Sequence, residues 1–208
     1  MSLCGENSPM TQDLFRSDAY LTECTATVTA ITPQGIVLDR TVFYPLGGGQ
    51  AGDTGTLTLA DGTDIAIIDT RKGKAEDGTF TQEIIHQPNE NLREQLSNPQ
   101  QSSSLKLAVG DTVTARIDWA RRHRMMRFHT ASHLLCHIVP KLVKSMSVQP
   151  PRGSGQIRTI QIGSDTLIDL QPCGGTHVAN TAEIGPVIVT KIEKKSAMTR
   201  RVVLGFAP

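Results

Sequence analysis

Two short segments hold residues whose types and spacing could bind a metal. In Arg121 to Val139, RRHRMMRFHTASHLLCHIV, His129 and His133 stand four apart among apolar residues at helical spacing. On a helix, both imidazoles then leave one face about a turn apart. Cys173 and His177 repeat the interval, but Gly174 and Gly175 lie between them. That pair therefore reads as a loop folded back to offer a thiolate and an imidazole. Three imidazoles and one thiolate make a tetrahedral nitrogen and sulfur set suited to zinc, one ion per chain. His137 continues the face of His133 and could replace His129; we place it outside the ligand set. Cys136, beside Leu134, Leu135 and Ile138, reads as a small buried hydrophobe.

These residues need a helix and a strand-framed loop to bring them together. Asp118 is a good N-cap, and Pro140 marks where the helix should stop. Arg121, Arg122, Arg124 and Arg127 fall on its first turns, where cations oppose the helix dipole, so contact with phosphates explains them better than helix stability does. A solvated charged face is the plainer alternative. Met125, Met126, Phe128, Leu134 and Leu135 read as core. After the helix, residues 157–162 and 166–170 read as strands meeting at Gly163-Ser164-Asp165, directly before the Cys173 loop. Residues 186–192 and 200–204 form a closing hairpin. Strands of one sheet with this helix against it make an α+β domain over 116–208. Lys191, Lys194, Lys195, Arg200 and Arg201 gather around its last turn.

Residues 1–115 read differently, as a small antiparallel β-barrel-like domain. Residues 24–32 and 36–43 flank Pro33-Gln34-Gly35, and 55–59 and 65–70 flank Asp61-Gly62, a strong hairpin signal. Residues 89–96 suggest a short helix, 97–104 a polar loop, and 111–117 a strand leading onward. Between the strands lies Tyr44-Pro45-Leu46-Gly47-Gly48-Gly49-Gln50, which is not a P-loop because no Lys-Ser or Lys-Thr follows. A plain connection is the simplest reading. Glycines also let backbone amides approach a ligand, and Gln50 could then hydrogen-bond an amino acid or ribose.

The net charge of +1 conceals an asymmetry: residues 1–115 carry 7 basic and 15 acidic side chains, net −8, and residues 116–208 carry 14 and 5, net +9. A basic half that holds the metal motif suits a nucleic-acid partner, whose backbone releases counterions to Lys and Arg. Attraction between the two halves is the alternative. No apolar run reaches membrane-span length, and Met1 to Pro9 lacks signal-peptide features. Four irregularly placed cysteines do not form a disulfide framework, and a cytoplasmic protein is expected.

HTASHLL followed by PCGGTH, and preceded by FYPLGGGQAGDTG, resembles the AlaX-type alanyl-tRNA editing proteins, free-standing relatives of the alanyl-tRNA synthetase editing domain. The resemblance runs from about Asp18 to Phe206. It implies a zinc-containing hydrolase that removes serine or glycine from mischarged alanine tRNA, with His129, His133, Cys173 and His177 as ligands. It also implies that Gly48, Gly49 and Gln50 border the pocket and that Thr130 helps recognise the serine side chain. Arg121, Arg124 and Arg127 are then expected on the tRNA. The chain departs from the pattern in one place: only 39 residues, Leu134 to Pro172, separate His133 from Cys173. The family carries a longer stretch there, so either this chain has a true deletion or residues are omitted; we expect omission, with a break between Val139 and Val143 seen as a Cα spacing well over about 3.8 Å.

Four protein ligands would close a zinc, whereas a catalytic zinc keeps a position open. Ester hydrolysis then requires a loosely held ligand, a five-coordinate metal, or a metal that orients the substrate while a nearby water attacks. A nucleic-acid-binding module with a structural zinc, or a fragment of a synthetase, are the alternatives the residues allow.

Overall fold

The computed structural model describes residues 10–75, 77–97, 107–138 and 158–208. Its contacts divide the chain into two compact units, Met1–Arg122 and His123–Pro208. The division falls later than the expected 115/116 boundary and inside the long helix, because Arg122 is bound by residues of the first unit.

That first unit contains β1 (Gln12–Asp13), β2 (Glu23–Thr32), β3 (Gly35–Leu38), β4 (Arg40–Thr41), β5 (Gly55–Leu59), β6 (Asp64–Lys74), β7 (Phe80–Pro88) and β8 (Thr112–Ile117). Six of them run antiparallel in the order β2-β3-β7-β6-β5-β8, and β8 pairs with both β5 and β2, which closes the barrel. β1 lies parallel to β4. The apolar alternation sets which face is inside. Val113, Ala115 and Ile117 of β8, and Ile65 and Ile67 of β6, enter one core with Val28, Ile36, Leu38, Phe43 and Leu57. Fully burying an aliphatic side chain of this kind contributes roughly 1.5–3 kcal/mol. A helix, α1 (Glu90–Ser97), follows β7, and the Asn89 side chain accepts from Leu92 N at 2.9 Å to cap it.

The strand pattern differs from expectation in three ways. The 36–43 run divides into β3 and β4; β6 runs on to Lys74 through register shifts after Ile67 and Lys72; and β7 is an additional strand. β7 buries a polar residue, His86, which is 0% exposed. Its Nδ1 donates to Ile36 O at 3.0 Å, and Thr41 Oγ1 lies 2.7 Å from Nε2. Because Phe43 N donates to Thr41 Oγ1, the threonine hydroxyl is free to donate to that ring nitrogen.

The glycine-rich segment forms a tight turn. Gly47 N donates to Gln50 O and Gln50 N to Gly47 O, at 3.1 and 3.0 Å, with Gly48 and Gly49 at φ 57° and 80°. Two successive positive φ angles define a type I′ turn, which explains the two glycines. At Gly52 a Cβ would run into the Thr70 backbone and the Asp69 carboxylate, so the approach of this segment to β6 requires glycine. Next to it, Asp53 accepts from Tyr44 N at 2.7 Å and from the Arg122 guanidinium; Arg122 also donates to Ala19 O at 3.0 Å and Val42 O at 2.6 Å. Both ionic side chains are essentially fully buried.

α2 (Trp119–Ile138) begins where Asp118 Oδ1 accepts from Arg121 N at 3.0 Å, as expected of an N-cap. In the second unit β9 (Thr159–Ile162) pairs antiparallel with β10 (Asp169–Pro172), and β11 (Val187–Lys194) with β12 (Arg200–Phe206). These are two separate ribbons among the described residues, a correction to the single sheet expected; residues 166–168 lie before β10 rather than in it. Phe128 of α2 stacks on Phe206 of β12 with ring centroids 4.1 Å apart. The polar loop at 98–104, Ile157 and the chain break expected between Val139 and Val143 all lie outside the described residues. No described helix is long and apolar enough to cross a membrane.

Candidate metal centre

His129 and His133 occupy successive turns of α2, and Cys173 and His177 lie on the loop after β10. The structure brings the four together: their ligand atoms all lie within 4.8 Å of one another. Cys173 Sγ is 3.5 Å from His129 Nε2 and 3.2 Å from His177 Nε2. A tetrahedral ion with bonds of about 2.0–2.3 Å separates its donors by about 3.5 Å, close to the two distances from Cys173. Burial, followed by the neighbouring His133 and Arg158, lowers His129 to about 4; burial and the other imidazoles lower His177 to about 2. Both rings are thus neutral at physiological pH and present a lone pair. Burial pushes the Cys173 thiol up. A cation at the cluster opposes that and favours the thiolate, so the donor chemistry fits a metal ion.

The nitrogens facing away from the cluster are also held. His133 Nδ1 is 3.2 Å from Asp169 Oδ2 and 2.6 Å from Gln171 Nε2, which itself donates to Asp169 at 2.7 Å. Both groups hold Nδ1, which leaves Nε2 as the ring nitrogen offered to the cluster. His177 Nδ1 is 3.1 Å from Thr130 Oγ1, which also accepts from Val178 N at 3.3 Å. Thr130 is therefore tied to a cluster histidine, rather than bonded only within its own helix. Arg158 donates to Cys173 O and Gly175 O, at 3.0 and 2.8 Å, and shapes the loop. Asp169, Gln171 and Arg158 were absent from the sequence-derived site. Asp169, four residues before Cys173, was the one with a usable signal, a carboxylate in reach of a candidate ligand loop.

His137 is exposed and outside the cluster. Cys136 is only partly buried. Gln50, 4% exposed, and Gly48 and Gly49 belong to the first unit, as does Arg121. Arg124 is exposed, with its guanidinium 5.3 Å from the Phe128 ring centroid. Arg127 is engaged internally: it donates twice to Ile184 O, at 2.9 and 2.7 Å, and lies 3.7 Å from the Phe206 ring centroid.

Comparison with known proteins gives this geometry a lineage. Residues 14–121 match the family described as tRNA synthetases class II (A), and residues 157–203 the Threonyl and Alanyl tRNA synthetase second additional domain. The alanyl-tRNA editing protein AlaX-M of Methanosarcina mazei is 39% identical, over 92% of this chain and 95% of its own. AlaX-M of Saccharolobus solfataricus is 29% identical over 96% and 100%. The alanine–tRNA ligase of Sulfurisphaera tokodaii is 27% identical over 91% of this chain but only 25% of its own length. The alignment with the Methanosarcina mazei protein runs to 253 positions, more than the 208 residues here, so that relative has internal residues without a counterpart. With the cluster in place and a relative so similar along nearly its whole length, the chain belongs to the AlaX-M family of alanyl-tRNA editing proteins.

Proposed function

We propose that the chain is a trans-editing aminoacyl-tRNA deacylase in the cytoplasm, hydrolysing the ester that joins serine or glycine to tRNA(Ala) without ATP. The observation that carries this is the four-donor cluster, assembled from two distant segments in a chain that spans nearly the full length of relatives named for alanyl-tRNA editing. We assign zinc to the cluster, one per chain, held by His129, His133, Cys173 and His177, because three imidazoles and a thiolate select it. A bound zinc supplies Lewis-acid polarisation of the ester carbonyl.

The chain's own residues do the rest. Thr130 accepts from Val178 N and from the proton on His177 Nδ1, which fixes that ring. Its own hydroxyl proton is then directed elsewhere, and we assign it to the serine side chain. Gly48, Gly49 and Gln50 are assigned to the aminoacyl-ribose end. Support comes from the turn: the space about the Gly49 Cα is open among the described residues, so a ligand can approach its backbone. Arg121 and Arg124 are assigned to tRNA phosphates. Arg127 belongs with them by sequence, but its bonds to Ile184 engage it first.

Four protein donors also favour a second reading, a nucleic-acid-binding module in which the metal only ties the Cys173 loop to α2. Deacylation of seryl-, glycyl- and alanyl-tRNA(Ala), with and without chelator, separates the two. We expect release of serine or glycine, alanyl-tRNA left largely intact, and loss of activity on chelation. Tight tRNA binding with no deacylation would select the second reading.

A further inference from the structure

The first unit holds a cavity of about 600 Å³, and of its lining residues only Arg121 has so far been given a role. Leu46, Ile68, Asp69, Arg71, Arg93 and Arg121 are among its lining residues. Three guanidiniums and one carboxylate, Asp69, line it; Asp69 is paired with Arg71 at 2.8 Å, and Arg93 has the exposed Glu90 carboxylate 3.5 Å away. Arg121 donates from Nη2 to Gly52 O at 3.3 Å, while its Nε is buried without a hydrogen-bond partner among the described residues. A buried donor of this kind is costly unless water or a ligand accepts from it. Leu46 and Ile68 are 45% and 53% exposed, and so place apolar surface beside the charged forks.

The surrounding charge makes this concentration informative. Residues 1–115 carry net −8, yet two of their seven basic side chains, Arg71 and Arg93, meet Arg121 here. A generally acidic surface repels a polyanion, so an anion that docks on this unit must be caught locally. Guanidinium forks match phosphate oxygens bidentately, and aliphatic surface beside them can be covered by the apolar face of a nucleobase. Inorganic phosphate alone would leave the apolar rim unused.

We propose that this cavity is an RNA-binding subsite that takes one phosphodiester on Arg93 and Arg121 and lays the attached base on Leu46 and Ile68. It rests on the proposed tRNA substrate and adds a contact point on the barrel unit. The test uses the full chain and two variants, Arg93→Gln and Ile68→Glu, the second placing a negative charge on an already exposed rim. Binding of tRNA(Ala) and of a single-stranded four-nucleotide RNA is measured from 50 to 300 mM KCl, with inorganic phosphate as a control; Trp119 fluorescence and bound metal report folding.

We expect each variant to weaken both RNAs about tenfold at 100 mM salt, with Arg93→Gln lowering the salt slope by about 0.7–0.9, the share of one phosphate contact. Metal content should be unchanged. Unaltered affinity and slope in both variants, with wild-type tRNA binding intact, overturn the subsite and leave the tRNA reading standing. If wild type binds the four-nucleotide RNA through these residues but neither binds nor deacylates tRNA(Ala), the subsite stands and the substrate assignment falls. Phosphate competing as well as the oligonucleotide overturns the role of the apolar rim.

Discussion

Protonation of His86 should set the acid limit of the barrel. The ring lies within the closed sheet, where burial lowers its pKa from 6.5 to about 4 against the opposing bond to Ile36 O. Above pH 6.5 the ring is neutral whether the chain is folded or unfolded, and the full stability is present. Between 6.5 and 4 the unfolded chain takes up a proton that the folded barrel refuses, so stability falls as pH falls. At about 1.4 kcal/mol for each tenfold difference in proton affinity, the loss reaches about 3 kcal/mol by pH 4. That is a large part of the 5–15 kcal/mol typical of a domain. His86→Gln should remove this dependence, since its amide can donate toward Ile36 O and accept from Thr41 without titrating. Trp119, the sole tryptophan, packs against the barrel core and reports its unfolding in urea. The wild-type curve of stability against pH should fall about 3 kcal/mol further than that of the variant between pH 7 and 4. Parallel curves would refute the assignment.

Other perturbations follow from the same geometry. Cys173→Ala should abolish stoichiometric zinc binding, measured by metal analysis; unchanged zinc content would remove this residue from the site. Asp169→Asn should weaken metal affinity roughly 10–100-fold in a chelator competition, because His133 Nδ1 loses the charged partner that holds the ring. Asp53→Asn leaves the Arg122 guanidinium buried without its counter-charge and should destabilise the barrel by about 3–5 kcal/mol in urea unfolding followed at Trp119; a change under about 1 kcal/mol would contradict the buried pair.

The cluster was legible in the sequence because its information is local. A four-residue interval on a helix, and another across two glycines, state the side chains' directions before any tertiary contact is known. The residues behind the cluster were less so. Asp169 and Gln171 matter only through the direction in which β10 presents them, and Arg158 acts on carbonyls rather than side chains. β7 was missed for a related reason: FTQEIIHQP alternates poorly, and His86 counts as polar in any pattern although Ile36 O and Thr41 make it a core residue. Arg122 illustrates the opposite error. It looked like one of four phosphate-facing arginines, and only the fold reveals Asp53, 69 positions earlier in the chain, as its partner. The single sheet expected for the second unit failed because apolar spacing identifies strands but not their neighbours.

The two ribbons of that unit have a practical consequence. A closed barrel leaves no unpaired strand edge, whereas β9, β10, β11 and β12 each pair on one side only among the described residues. Such edges template association with another chain, more so where apolar side chains are exposed, as at Val189, Ile192 and Val202. Lys191 and Lys194 on β11, and Arg200 and Arg201 on β12, leave this ribbon net positive although Glu193 pairs with Lys191 and Lys195, and the register shift between Val189 and Lys191 interrupts the ladder. The repulsion is screened by salt, with a range of about 10 Å at 0.1 M falling to about 3 Å at 1 M. A high-salt wash that strips bound RNA from the protein therefore also removes its guard against self-association, and nucleic acid is better cleared enzymatically at moderate ionic strength.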